Sequence, residues 1–82
     1  MEKTICLKTV SDVKKFVNIV SKCDYDIDLI KDRYVIDAKS IIGIFSLDLT
    51  QPIKMVVNSK DCSDLIDKLK DFLYEYKYLL KF

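Results

Sequence analysis

The chain has no histidine, a single glycine, a single proline and three cysteines in 82 residues, and each scarcity removes a kind of chemistry. Without an imidazole or an evident lysine dyad, no side chain is poised as a general base near neutral pH. The adjacent Ser11 and Asp12 therefore do not make a nucleophile pair, and enzymatic catalysis is not expected. Cys6, Cys23 and Cys62 contain no CxxC spacing and cannot all pair with one another, which excludes a disulfide framework and the zinc patterns. Ordinary reduced thiols are expected, with Cys6 and Cys62 at apolar or half-buried positions, and no cofactor or metal is implied. No apolar stretch approaches the ~20 residues of a membrane span. Ile5-Cys6-Leu7 behind Lys3 is far too short for the apolar region of a signal peptide, so a cytoplasmic protein is expected. Charge of one sign is lacking as well: 14 basic against 13 acidic residues leave +1, and no global field draws nucleic acid or an anionic membrane.

What is present suffices for one core. Half of the residues are hydrophobic, and five tyrosines and four phenylalanines contribute to that half. A chain of this size buries only ~60 to 65% of its unfolded surface, so residues 1–82 are expected to form one domain. Ile5 and Leu7 alternate with Thr4, Cys6 and Lys8, the pattern of a half-buried strand over about residues 2 to 8. Val10, Val13, Phe16, Val17, Val20 and Cys23 recur at three- and four-residue steps and predict an amphipathic helix over 10–22. Thr9 and Asp12 suit a capping box at its start, and Lys14, Lys15, Asn18 and Lys22 lie on its outer side. Tyr25, Ile27 and Leu29 alternate with Asp24, Asp26 and Asp28 in a second strand. Lys31-Asp32-Arg33 reverses the chain, and Tyr34 to Ala38 is its hairpin partner. A short segment over 40–47 follows, then a strand opened by Pro52 and carried by Ile53, Met55 and Val57. From Ser63, the residues Leu65, Ile66, Leu69, Phe72, Leu73, Tyr76 and Leu80 keep to one helical face and predict a helix running nearly to the C-terminus.

The order is βαββαβα, without repeat or linker. Periodicity alone permits a ferredoxin-like sheet or another four-stranded antiparallel sheet backed by helices. Asp24, Asp26 and Asp28 imitate the opening of a calcium loop, but Leu29 stands where its glycine is needed and Val35 where its glutamate is needed. A solvated strand face explains them.

The most specific stretch is Asp37 to Leu47, DAKSIIGIFSL. Its pattern Lys39-Ser40-Ile41, Gly43, Ser46-Leu47, set within the run from Val20 to Leu47, closely resembles the serine-bearing segment of HPr, the histidine-containing phosphocarrier of the bacterial sugar phosphotransferase system. The resemblance covers most of the chain. It implies an α+β open-faced β-sandwich, with a four-stranded antiparallel sheet and three helices on one face, the middle one short. It stops after the first strand. There the family carries a glycine, the phosphorylatable histidine and an Ala-Arg-Pro-Ala run, whereas this chain reads Leu7-Lys8-Thr9-Val10-Ser11-Asp12-Val13. Thr9 or Ser11 would form a stable phosphate ester in place of the readily transferred phosphoramidate of a histidine.

The expectation is therefore an HPr-like regulatory or protein-interaction domain without histidine phosphocarrier activity. The resemblance marks Ser40 as the candidate for regulatory phosphorylation, with a serine kinase and a transcriptional regulator as protein partners. It also implies partner docking through Ile41 or Ile44 and through Lys14 and Lys15 of the first helix, while Ile42, Phe45 and Leu47 read as core. Ser40 reads first as a plain helix cap, and Gly43 as a close packing contact or a positive-φ position. In the alternative, the domain is a dimeric interaction or scaffold module that has kept the fold and lost all phosphorylation chemistry. At 100° per residue Tyr74, Tyr78 and Phe82 fall opposite Leu69, Phe72 and Tyr76, a second aromatic stripe suited to a homodimer or partner contact.

Overall fold

Ile27 and Leu29 turn to one side of their strand while Asp28 and Ile30 turn to the other, and the same alternation in every strand builds a sheet with one dry face. The computed structural model describes residues 1–59 and 61–74. Its elements are β1 (Glu2–Ile5), α1 (Val10–Val20), β2 (Ile27–Lys31), β3 (Tyr34–Asp37), α2 (Ile41–Phe45), β4 (Ile53–Val57) and α3 (Ser63–Lys68), followed by a single 3-10 turn over Lys70–Phe72. The strands pair antiparallel in the order β1-β4-β2-β3. Leu29 stands between Met55 and Ile36, and Ile5 stands opposite Ile53.

Ile5, Ile27, Leu29, Ile53, Met55 and Val57 are buried under the helices, which insert Val13, Phe16 and Val20 from α1, Ile44 from α2 and Leu65 from α3. Phe16 meets Phe72 edge to face, with ring centroids 6.2 Å apart and planes at 87°. Burying a side chain of this size contributes on the order of 1.5–3 kcal/mol. The opposite face of the sheet carries polar residues such as Glu2, Lys54, Asp28 and Asp37. This is the open-faced, four-stranded antiparallel sheet with three helices, as expected.

Several boundaries differ from the sequence reading, β2 among them, which starts at Ile27 rather than near Tyr25. β1 ends at Ile5 because the N–H of Cys6 turns to the carbonyl of Phe72, 2.8 Å away. α1 ends at Val20, with Lys22 and Cys23 closing short turns back to Ile19 and Val20. Its Val10, in the first turn, is exposed rather than buried.

The largest difference is the last helix, which stops at Lys68 instead of continuing. Leu69 caps it, Lys70–Phe72 tighten into the 3-10 turn, and Leu73 is extended and bridges antiparallel to Ile5. The cause is tertiary: the outer edge of β1 offers unpaired backbone groups, and Phe72 and Leu73 satisfy them. No glycine or proline is needed for such a stop. Leu69 and Tyr74 consequently do not share one helix, so the opposed aromatic stripe does not follow. Tyr74 is half-buried, and Tyr78 and Phe82 lie outside the described residues.

Candidate functional site

Thr9 precedes α1 in extended conformation, and its Oγ1 accepts a hydrogen bond from the N–H of Asp12 at 3.0 Å. The Asp12 carboxylate reaches back, with Oδ2 accepting from the N–H of Lys8 at 3.1 Å and of Thr9 at 3.3 Å. The capping box expected from Thr9 and Asp12 is thus complete. Its chemical consequence is that the first turn of α1, where backbone donors and the helix dipole favour an anion, already holds a carboxylate of its own chain. Ser11, Lys14 and Lys15 are exposed on the same helix.

α2 is positioned by a chain of local contacts. Ala38 is buried and its N–H donates to Ile27 at 2.9 Å. Asp37 Oδ1 accepts from the N–H of Lys39 at 2.9 Å, and Lys39 Nζ donates to the Cys23 carbonyl at 2.8 Å. Ser40 then caps the helix, its Oγ accepting from the N–H of Gly43 at 3.2 Å while the residue stays exposed. At the other end Ser46 Oγ donates to the Gly43 carbonyl at 2.5 Å.

Gly43 has no positive φ; it is there for close packing. A Cβ at this position would stand 2.6 Å from Cγ2 of Ile36. That contact sets the rotation of α2 and reverses most of the expected facing. Gly43 and Ile44 turn inward and Ile44 is fully buried, so Ile44 is not available for docking. Ile42 and Phe45, expected in the core, lie on the opposite side at 100° steps and are 82% and 44% exposed. Ile41 is half-buried at the margin, and Leu47 is in the core as expected. The apolar surface of α2 is therefore Ile42 and Phe45, edged by Ile41. The position of the glycine was the available signal for this rotation.

α1 packs beside α2, so Lys14, Lys15 and the α2 surface belong to neighbouring helices. A separate surface cleft of about 220 Å³ near the end of α1 is lined by Lys22, Tyr25, Asp64 and Lys68 among others, with its charges balanced. Partial burial, followed by a hydrogen bond to the Cys23 side chain, pushes the Tyr25 phenol from 10.0 up to about 12. Among the described residues no cluster of three or more His, Cys, Asp or Glu could hold a metal ion, and no helix is long and apolar enough to cross a membrane.

A search of curated proteins by sequence gives no match. Among solved structures the chain is similar to HPr-C-His from Thermoanaerobacter tengcongensis, at 32% identity and a TM-score of 0.72, over 87% of this chain and 88% of that one. It is also similar to the phosphocarrier protein HPr from Bacillus anthracis str. Ames, at 26% identity and a TM-score of 0.65, over 84% and 90%. The family model described as the PTS HPr component phosphorylation site matches residues 12–75, a match that starts just beyond Thr9. By fold, by the serine-bearing segment and by these matches, the chain belongs to the HPr family of the phosphotransferase system.

Proposed function

We propose that this protein is a non-enzymatic regulatory or interaction domain of the phosphotransferase system that does not carry phosphate on histidine. The observation that carries this reading is the occupied first turn of α1. The Asp12 carboxylate stands at the start of α1, held by the N–H groups of Lys8 and Thr9, so a phosphoryl group there would meet a negative charge, and the chain has no histidine to accept one. Thr9 would form a stable phosphate ester rather than a readily transferred phosphoramidate, so its hydroxyl is not a substitute.

Signalling then runs through α2. Ser40 is the candidate phosphorylation site, exposed at the start of the helix, and the exposed Ile42 and Phe45, with Ile41 and the lysines 14 and 15 nearby, form the surface a protein partner would read. A serine kinase and a transcriptional regulator are the partner classes that fit, in the cytoplasm. A phosphate on Ser40 adds about −1.5 to −2 charges beside this apolar surface, enough to switch a contact on or off. In the competing reading Ser40 is a cap alone, and its side-chain bond to Gly43 favours that reading. The domain would then be an interaction module without phosphorylation chemistry.

Intact mass after incubation with ATP and an HPr serine kinase, alongside Ser40→Ala, separates the two. One phosphate gained by the wild type and absent from the variant supports the regulatory reading. No gain, with an authentic HPr modified in parallel, leaves the interaction module. Acceptance of phosphate from phosphoenolpyruvate through the general enzyme of the system would overturn both.

A further inference from the structure

Among the described residues, only one of the two edges of the sheet is covered. β1 receives Leu73, which bridges to Ile5, whereas among the described residues no strand lies outside β3. The N–H of Ala38 donates to Ile27, so the alternation of an antiparallel ladder points Ile36 and Tyr34 toward β2. It leaves the N–H and C=O groups of Val35 and the N–H of Asp37 directed outward, while the Asp37 carbonyl accepts from the N–H of Ser40 at 3.0 Å. Exposed edges are normally blunted by shortness, charge, proline or a bulge. β3 is short and ends in Asp37, but it carries no proline and no bulge. Its register against β2 is uninterrupted from Asp28↔Asp37 to Lys31↔Tyr34, and its Tyr34 and Val35 are 65% and 63% exposed.

We propose that β3 pairs antiparallel with β3 of a second copy of this chain about a two-fold axis at Val35, joining two four-stranded sheets into one of eight strands.

The sequence around the edge is self-complementary in that register. Val35 stands opposite Val35, Tyr34 opposite Ile36, and Arg33 opposite Asp37 on both sides of the axis. Opposite charges directly across a ladder stabilise it, and like charges do the reverse. Moving the axis to Ile36 sets Val35 against Asp37 and Arg33 against Lys39, which removes the apolar pair and opposes two cations. Side chains therefore select the register that the outward backbone groups permit. Among the described residues Arg33 forms no ion pair. The Asp37 carboxylate accepts one bond, from the N–H of Lys39, and has lone pairs left for a guanidinium. Strands of four residues bury well under the ~1,200 Å² of a standard stable interface, so the dimer is weak and forms in concentrated protein.

The test is sedimentation velocity over a concentration series of the wild type, Arg33→Asp, Asp37→Arg and an equimolar mixture of the two variants, each checked for folding by circular dichroism. The wild type is expected to move toward twice its monomer mass. Each variant opposes like charges at both positions and should associate at least roughly tenfold more weakly. The mixture recreates both Arg–Asp pairs and should dimerise again. Amide exchange in the wild type gives an answer free of any folding defect in the variants, because protection of the Val35 and Asp37 N–H groups should rise with concentration. A wild type that stays monomeric, a dimer that both variants leave intact, a mixture of folded variants that fails to associate, or protection independent of concentration would each overturn the proposal.

Discussion

A Cβ on Gly43 would lie 2.6 Å from Cγ2 of Ile36, so the one glycine in the chain is what lets α2 lie against β3. In a free helix Gly43→Ala would gain about 1 kcal/mol. Here overpacking at roughly 1–3 kcal/mol outweighs that gain, because β-branched Ile36 has little rotamer freedom with which to retreat. The expected result is a lower urea midpoint with unchanged slope, a net loss of about 1 kcal/mol. In an Ile36→Ala background the same substitution should become neutral or stabilising. Equal midpoints for the wild type and Gly43→Ala would mean that α2 is not held by this contact.

Thr9→Ala and Asp12→Ala each remove one half of the reciprocal cap on α1, and each should cost about 1 kcal/mol. Because the two halves hold the same turn, the double variant should lose less than the sum. Chemical denaturation of the four proteins measures the coupling, and strict additivity would show that the two bonds act independently.

Asp32 opens the two-residue loop between β2 and β3 with φ 54, a positive φ that hairpin turns most often assign to glycine, asparagine or aspartate. Aspartate tolerates this state better than most residues, so the gain from Asp32→Gly is modest, about 0.5 kcal/mol after glycine's greater unfolded-state entropy is subtracted. Asp32→Val should instead lose more than about 1 kcal/mol. Thermal midpoints that fail to rank Gly above Asp above Val would contradict this account of the turn.

The Tyr25 phenol ionises near 12 in the folded protein against 10.0 in a free chain. Between those values the unfolded state has lost the proton and the folded state still holds it, so stability falls as pH rises through that window and the Tyr25 contribution is flat below it. Urea midpoints under reducing conditions should decline less steeply with alkali in Tyr25→Phe. The difference in phenolate absorbance between the two proteins should appear only at the top of the titration. Parallel decline in both would place the alkaline sensitivity elsewhere.

Elements whose cause is local were legible in the sequence. The apolar rhythm of Val13, Phe16 and Val20 marked α1, the Thr9 and Asp12 spacing marked its cap, and alternation marked β2 and β4. The segment from Lys39 to Leu47 pointed to the family. What could not be read locally was set by contacts across the fold. α2 is too short for periodicity to define a face, and the approach of Ile36 to Gly43 decided that Ile44 is buried while Ile42 and Phe45 are exposed. The end of α3 was hidden for the same reason, since the groups that stop it belong to Ile5 and Cys6.

The pairing of Glu2 with Val56 and of Ile5 with Ile53 bears on how the chain reaches this state. β1 precedes the other strands in sequence, yet among the described residues its one partner strand in the sheet is β4, and its outer edge is closed by Phe72 and Leu73. The β2–β3 hairpin and α1 need only near neighbours and can form early. β1 must wait while a loop of some fifty residues closes, an entropic cost that grows with the logarithm of loop length and slows folding in chains dominated by distant contacts. The earliest of the four strands in sequence is thus among the last to be secured, and until then Ile5 and Leu7 remain exposed apolar residues.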